Sequence, residues 1–143
     1  LSLGRASVEK VVKAHKEAGK NLVGIRHALA WIKDRPVCSR IMEAQEENVS
    51  KSEKFREGME VLAENGLSYD CWLFHTNLPE LVELARACPR TRIICDHVAD
   101  PLGHPGAGFN REATFPVWKE LIKELAKCEN VVVKLSGLSM PNC

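Results

Sequence analysis

The feature that most constrains this chain is a repeat. Short, nearly continuous apolar runs alternate with segments whose apolar residues recur at helical spacing. The runs are NLVGIRHAL, YDCWLF, TRIICDH and VVVKL, in that order. Their β-branched content and lack of in-and-out alternation predict strands buried on both faces, as in a parallel sheet. Between them, Val8, Val11, Val12 and His15 form one helical stripe, with Ser7 as the expected N-cap and Gly19 as the stop. Phe55, Met59 and Leu62 form a second stripe behind Ser52, and Asn65-Gly66 ends it. Asn77 with Glu80 predicts a capping box for a third helix carrying Leu78, Leu81, Val82, Leu84 and Ala85, with Pro89 past its end. Phe115, Trp118, Leu121, Ile122 and Leu125 mark a fourth, whose start Pro116 obscures. From Ala30 to Ser50, Asp34-Arg35-Pro36 interrupts any regular element and the segment is left open.

Alternating helices and strands imply parallel strands joined by crossover helices, either a doubly wound sheet or a (β/α)8 barrel. A whole barrel takes about 250 residues, whereas this chain has 143. Four strands are about half a barrel, and the expectation is an internal piece of something longer, since the opening LSLGRASVEKVV is no signal peptide. Lys and Arg number 20 against 19 Asp and Glu, so there is no basic excess for a nucleic-acid partner. No apolar run nears the roughly 18 residues of a membrane span. The six cysteines, Cys38, Cys71, Cys88, Cys95, Cys128 and Cys143, are widely spaced and form no Cys-x-x-Cys pair. They read as reduced core residues of a cytoplasmic protein.

In both parallel architectures ligands sit off the C-terminal strand ends, so the polar residues following each run are the candidates. These are Arg26 and His27, His75, Asp96 and His97, then Lys134 with Ser136 and Gly137. Histidine there offers a metal ligand, a carbonyl-polarising donor or a proton shuttle. Adjacent side chains on a strand face opposite ways, so only one of Arg26 and His27 can face inward. Asp96 is assigned a supporting or helix-capping role beside His97. Lys134 and Ser136, two apart, are expected on one face, with a solvated lysine weighed equally. His15 is expected to pack in part, and His104, in the loop ADPLGHPGAG, to be solvated.

GIRHAL, FREGMEVLAENGLSYDCWLFHTNLPELVELARACP, IICDHVADPLG and NVVVKLSGL, in this order, resemble the amidohydrolase-related family of TIM-barrel hydrolases. Its closest branch holds 2-pyrone-4,6-dicarboxylate lactonase and sugar-lactone hydrolases. The resemblance runs from about Val8 to Met140, with DH-x-x-x-P-L-G and KLSGL its most specific parts. It implies a single partial barrel domain over 1–143, made of strands four to seven. It puts the two active-site histidines of strands five and six on His75 and His97, as catalytic groups and, if a metal is bound, as its ligands. Arg26, His27, Lys134 and Ser136 become substrate-binding. Strand four ends in Arg26-His27 where many relatives hold a bridging lysine or glutamate, which argues against a binuclear centre.

The resemblance further implies that a His-x-His pair would lie before Leu1 and a general-base aspartate beyond Cys143. The isolated chain is therefore expected to be inactive and poorly soluble. Branch members work without metal or with a divalent ion, commonly zinc. The leading expectation is opening of a small-molecule lactone or carboxylated ring by water, with His75, His97 and Arg26 at the carbonyl. The alternatives are a metal-dependent decarboxylase or amide hydrolase, or a non-catalytic barrel piece that binds a ligand or partner.

Overall fold

Four short strands lie parallel in chain order: β1 (Gly24–Arg26), β2 (Ser68–Cys71), β3 (Ile93–Cys95) and β4 (Val131–Val133). The computed structural model describes residues 1, 4–33, 46–103 and 109–137. Helices α1 (Arg5–Ala18), α2 (Glu53–Glu64), α3 (Leu78–Ala87) and α4 (Arg111–Leu125) complete the βα alternation. Single 3-10 turns occupy Val49–Lys51, His75–Asn77 and Asp96–Ala99. Register pairs Ile25 with Tyr69, Tyr69 with Ile93, and Ile93 with Val131. Because side chains alternate across a strand, this row shares one face. Tyr69, Cys71, Ile93 and Cys95 are fully buried on it, in one cluster with Val8, Val12, Phe55, Met59, Leu62, Leu81, Leu84 and Leu125.

The opposite face is not buried as the apolar runs predict. Gly24, Ser68, Asp70 and Ile94 are half-buried there, and Arg26 and Val132 are exposed. The strands are also shorter than the runs. Past β1 and β2 the chain leaves the ladder, and Ala28, Ala30, Trp72 and Phe74 join Leu102 in a second apolar cluster, with Ile32 and Phe109 at its edge. Parallel pairing frays into this cluster through His27 N–H to the Asp70 carbonyl and Leu29 N–H to the Trp72 carbonyl.

Helix ends follow local chemistry, modified by tertiary contacts. Ser52 caps α2 as expected, its Oγ accepting from Phe55 N–H at 3.3 Å. Asn110 caps α4, its Oδ1 accepting from Glu112 N–H at 2.8 Å. Ser7, by contrast, lies inside α1, which starts at Arg5 behind Gly4. The Arg5 N–H there meets Glu57 Oε2 at 3.0 Å, so a distant carboxylate replaces the local cap. The Asn77–Glu80 capping box does not form. Asn77 Oδ1 accepts from Trp31 and Phe74 N–H instead, and Glu80 Oε1 accepts from the N–H and hydroxyl of Ser50 at 2.9 and 2.6 Å.

On α1 only Val8 and Val12 are buried. Val11 and His15 are exposed, because α1 packs on α2 along one narrow i, i+4 row. Phe115 is exposed as well, while Leu125 at the far end of α4 is buried. Four cysteines, Cys71, Cys88, Cys95 and Cys128, are buried free thiols, and burial pushes Cys95 up to about 12. Cys38, Cys143, His104 and the Asp34-Arg35-Pro36 break lie outside the described residues. Among those described, no helix is long and apolar enough to cross a membrane.

Candidate active site

The sheet face turned away from the helices carries charge. Arg26 is the Cα partner of Asp70 across β1 and β2. Its guanidinium donates Nε–H and Nη2–H to Asp70 Oδ2 at 3.1 and 2.7 Å. One residue beyond β3 and β4, Lys134 Nζ lies 2.7 Å from Asp96 Oδ1 and 3.2 Å from each Asp70 oxygen. Arg26 Nη2 also reaches Asp96 Oδ2 at 3.3 Å. Two carboxylates, one on β2 and one after β3, thus lie between two cations, one on β1 and one after β4. Asp96 is fully buried, whereas the Lys134 and Arg26 side chains are 39% and 51% exposed. Burial pushes the Asp70 carboxyl up, but hydrogen bonds involving Arg26, Asp96 and Lys134 outweigh it and hold Asp70 below the usual carboxylate range. The hydrogen bond with Asp70 raises Arg26, and that with Asp96 raises Lys134, so both stay cationic.

His97 follows Asp96 in a left-handed turn, with φ of 50° at His97, 51° at Val98 and 61° at Ala99. Its Nδ1 lies 2.8 Å from Ser136 Oγ. Ser136 therefore turns toward His97 and does not join Lys134 at the carboxylates, despite their spacing of two. Regular alternation ends with β4 at Val133, which removes the basis for that expectation.

His75 opens the turn after β2 and is buried, edge-on to Phe109 at 5.6 Å between ring centres. The Leu102 N–H donates to its Nδ1 at 3.2 Å. An amide can only donate, so the neutral ring carries its proton on Nε2. Burial lowers its pKa and keeps it neutral. A neutral imidazole of this tautomer is a hydrogen-bond donor at Nε2, with no lone pair there for a metal. Metal-bound histidine needs the reverse arrangement, its second ring nitrogen donating to an acceptor. Among the described residues, no three His, Cys, Asp or Glu side chains are grouped to hold a metal ion. The described groups do not fit one.

The structure thus joins Arg26 to Lys134 through Asp70 and Asp96, and His97 to Ser136. His75 contacts Leu102 and Phe109. His27 turns to the helix side, stacked on Phe55 at 5.4 Å, so Arg26 is the inward member of that pair. Asp96 supports the two cations. Asp70 was not singled out by the sequence reading, although a charged residue between buried Tyr69 and Cys71 must point to the face opposite them.

A parallel sheet wound in chain order, with polar groups gathered at its C-terminal strand ends, is the arrangement of a barrel enzyme. Residues 3–141 match the family model described as Amidohydrolase, and the chain belongs to the amidohydrolase family. It is 38% identical over 97 residues to an uncharacterised protein, y4mH, of Sinorhizobium fredii, covering 68% of this chain and 30% of that one. It is 38% identical over 80 residues to L-fucono-1,5-lactonase of Burkholderia ambifaria, covering 56% and 25%. A zinc-bound amidohydrolase from Burkholderia multivorans superposes with a TM-score of 0.67 at 25% identity, over 92% of this chain and 42% of that one. The same enzyme with bound HEPES gives 0.67 at 23%. This chain therefore folds as part of an amidohydrolase TIM-barrel domain and spans under a third of the curated relatives.

Proposed function

We propose that this amidohydrolase opens a lactone by adding water to its carbonyl, and that His75, His97, Arg26 and Lys134 bind the reacting ring. The observation that carries the reading is the tautomer of His75. With Nδ1 occupied by the Leu102 amide, its Nε2–H is a fixed, neutral donor, suited to the oxyanion that forms as water adds. Arg26 and Lys134 stay cationic beside the strand ends and favour an anionic or oxygen-rich substrate. The partial likeness to L-fucono-1,5-lactonase supports a sugar lactone over an amide.

A lone pair of the attacking water forms the new C–O bond as the carbonyl π pair moves onto its oxygen, and collapse breaks the ring C–O bond while the proton shed by the water passes to the leaving ring oxygen, giving a hydroxy acid. Asp70 and Asp96 are held by cations, so neither serves as the base that activates water. His75 presents a proton at Nε2, where the zinc bound by the solved relative would need a lone pair. The buried free thiols support a reducing, cytoplasmic setting. The test is acid release by the full-length protein from a panel of sugar lactones and a pyrone dicarboxylate, with and without chelator. Turnover of at least one lactone is expected, and hydrolysis of amides alone would overturn the assignment.

A further inference from the structure

Ser136 ends its side chain 2.8 Å from His97 Nδ1, and the backbone around it is built to keep it there. The Lys134 carbonyl accepts from both Ser136 N–H, at 3.0 Å, and Val98 N–H, at 3.3 Å. One carbonyl therefore ties the turn bearing His97 to the turn bearing Ser136. Lys134 N–H in turn bonds the Cys95 carbonyl at 2.9 Å, which fixes the pair to the β3–β4 ladder. Gly137 completes the cradle. Its φ is +72°, and a Cβ there would lie 2.7 Å from His97 Cβ, 2.9 Å from Cγ and 3.0 Å from Nδ1. Only a residue without a side chain lets the imidazole rest against this backbone. Trp118 supports the other side of the turn, donating its indole N–H to the Val98 carbonyl at 2.7 Å.

We infer that Ser136 is a positioning residue for His97: its hydroxyl engages Nδ1 while Gly137 supports the ring, leaving Nε2 to face the substrate. This rests on the reading above for the statement that His97 meets substrate, and it replaces the expectation that Ser136 binds substrate itself. The two histidines are then held in different ways. A backbone amide fixes the His75 proton on Nε2. A hydroxyl donates or accepts, so Ser136 keeps a partner for His97 Nδ1 in either tautomer.

The test compares Ser136→Ala, Ser136→Thr and Gly137→Ala in the full-length protein, reading lactone hydrolysis and the 15N signals of the His97 ring. Ser136→Ala keeps the Ser136 N–H bond to Lys134, and unchanged backbone amide signals establish that it folds. The expected result is a kcat lower by about 10- to 100-fold, as for a displaced reacting group, with KM within about twofold. The His97 ring nitrogens shift in Ser136→Ala and in Gly137→Ala, and Ser136→Thr restores them. A raised KM with unchanged kcat would instead make Ser136 a substrate contact and overturn the inference. So would ring signals that do not move in Ser136→Ala. Ring signals that move in a protein inactive on every lactone would uphold the positioning and overturn the lactonase reading alone.

Discussion

Replacing Lys134 by Met removes one of the two cations that face Asp96 and Asp70 while keeping the length of the side chain. Asp96 is fully buried and loses its 2.7 Å partner, and Asp70 loses both of its 3.2 Å contacts. Two carboxylates then share Arg26, which lies 2.7 Å from Asp70 and 3.3 Å from Asp96. Breaking a fully buried pair costs about 3–5 kcal/mol, but Lys134 is partly exposed and Arg26 remains, so the discounted loss is roughly 1–2 kcal/mol at pH 7. The pH dependence is the sharper readout. In the wild type, Asp70 is held below its ordinary value of 3.8, so it stabilises the fold above that value. That contribution is lost as pH falls toward the depressed folded value. In Lys134→Met, Asp70 loses the Lys134 hydrogen bonds that help to hold it down, so less of its contribution is left to lose and the deficit of the variant narrows as pH falls below 3.8. Urea unfolding followed by tryptophan fluorescence at pH 7, 4.5 and 3 measures the difference. A loss below about 0.5 kcal/mol at pH 7, as for an exposed pair, together with no change in the difference at lower pH, would refute the reasoning.

His97→Ala is expected to lower kcat/KM for a lactone by roughly 100-fold or more while the urea midpoint stays near wild type; exposed His15→Ala should leave both unchanged. Burial lowers the folded pKa of His75 from its ordinary 6.5, so its neutral form stabilises the fold above 6.5 and that contribution falls as pH drops through 6.5 toward the folded value. Urea midpoints at pH 7.5 and 5.5 should show this fall in the wild type and a flatter response in His75→Gln. Val132, Val133 and Leu135 expose apolar surface on and beside β4, and Val23 does so before β1. Residues 1–143 alone are expected to self-associate in sedimentation velocity, and Val132→Lys should shift the distribution toward monomer.

Element order, three of the four helix stripes and the parallel arrangement were legible in the sequence because each rests on a local rule. Phe55, Met59 and Leu62, spaced for one helix face, are all fully buried on it. What local rules missed was settled by distant partners. Glu57 displaces Ser7 as the terminator of α1, and Ser50 and Trp31 draw Glu80 and Asn77 out of a capping box that their spacing alone favours. Two-sided burial failed for a related reason: an apolar run fixes which residues avoid water, while burial of its second face needs another layer, and Arg26 and Val132 are exposed there. The strand-end rule pointed to Arg26, His75, His97 and Lys134, of which the structure links Arg26 and Lys134 through Asp70 and Asp96. The role of Ser136 depends on the turn after β4, where alternation no longer applies. Asp70 was readable from alternation within one strand, as the charged residue between Tyr69 and Cys71.

The middle of the sheet is more deeply buried than its flanks, and it should open more rarely. Between β2 and β3, Tyr69, Cys71, Ile93 and Cys95 and the α3 residues Leu78, Leu81 and Leu84 exclude solvent almost completely, whereas Ile25 and Val131 on the flanking strands are only partly covered. Amide hydrogens exchange through openings whose free energy tracks such local burial. Those of β2, α3 and β3 should exchange last, as one cooperative unit. The charged group spans both regimes, with Asp70 on the slow unit and Arg26 and Lys134 at the ends of strands that open first.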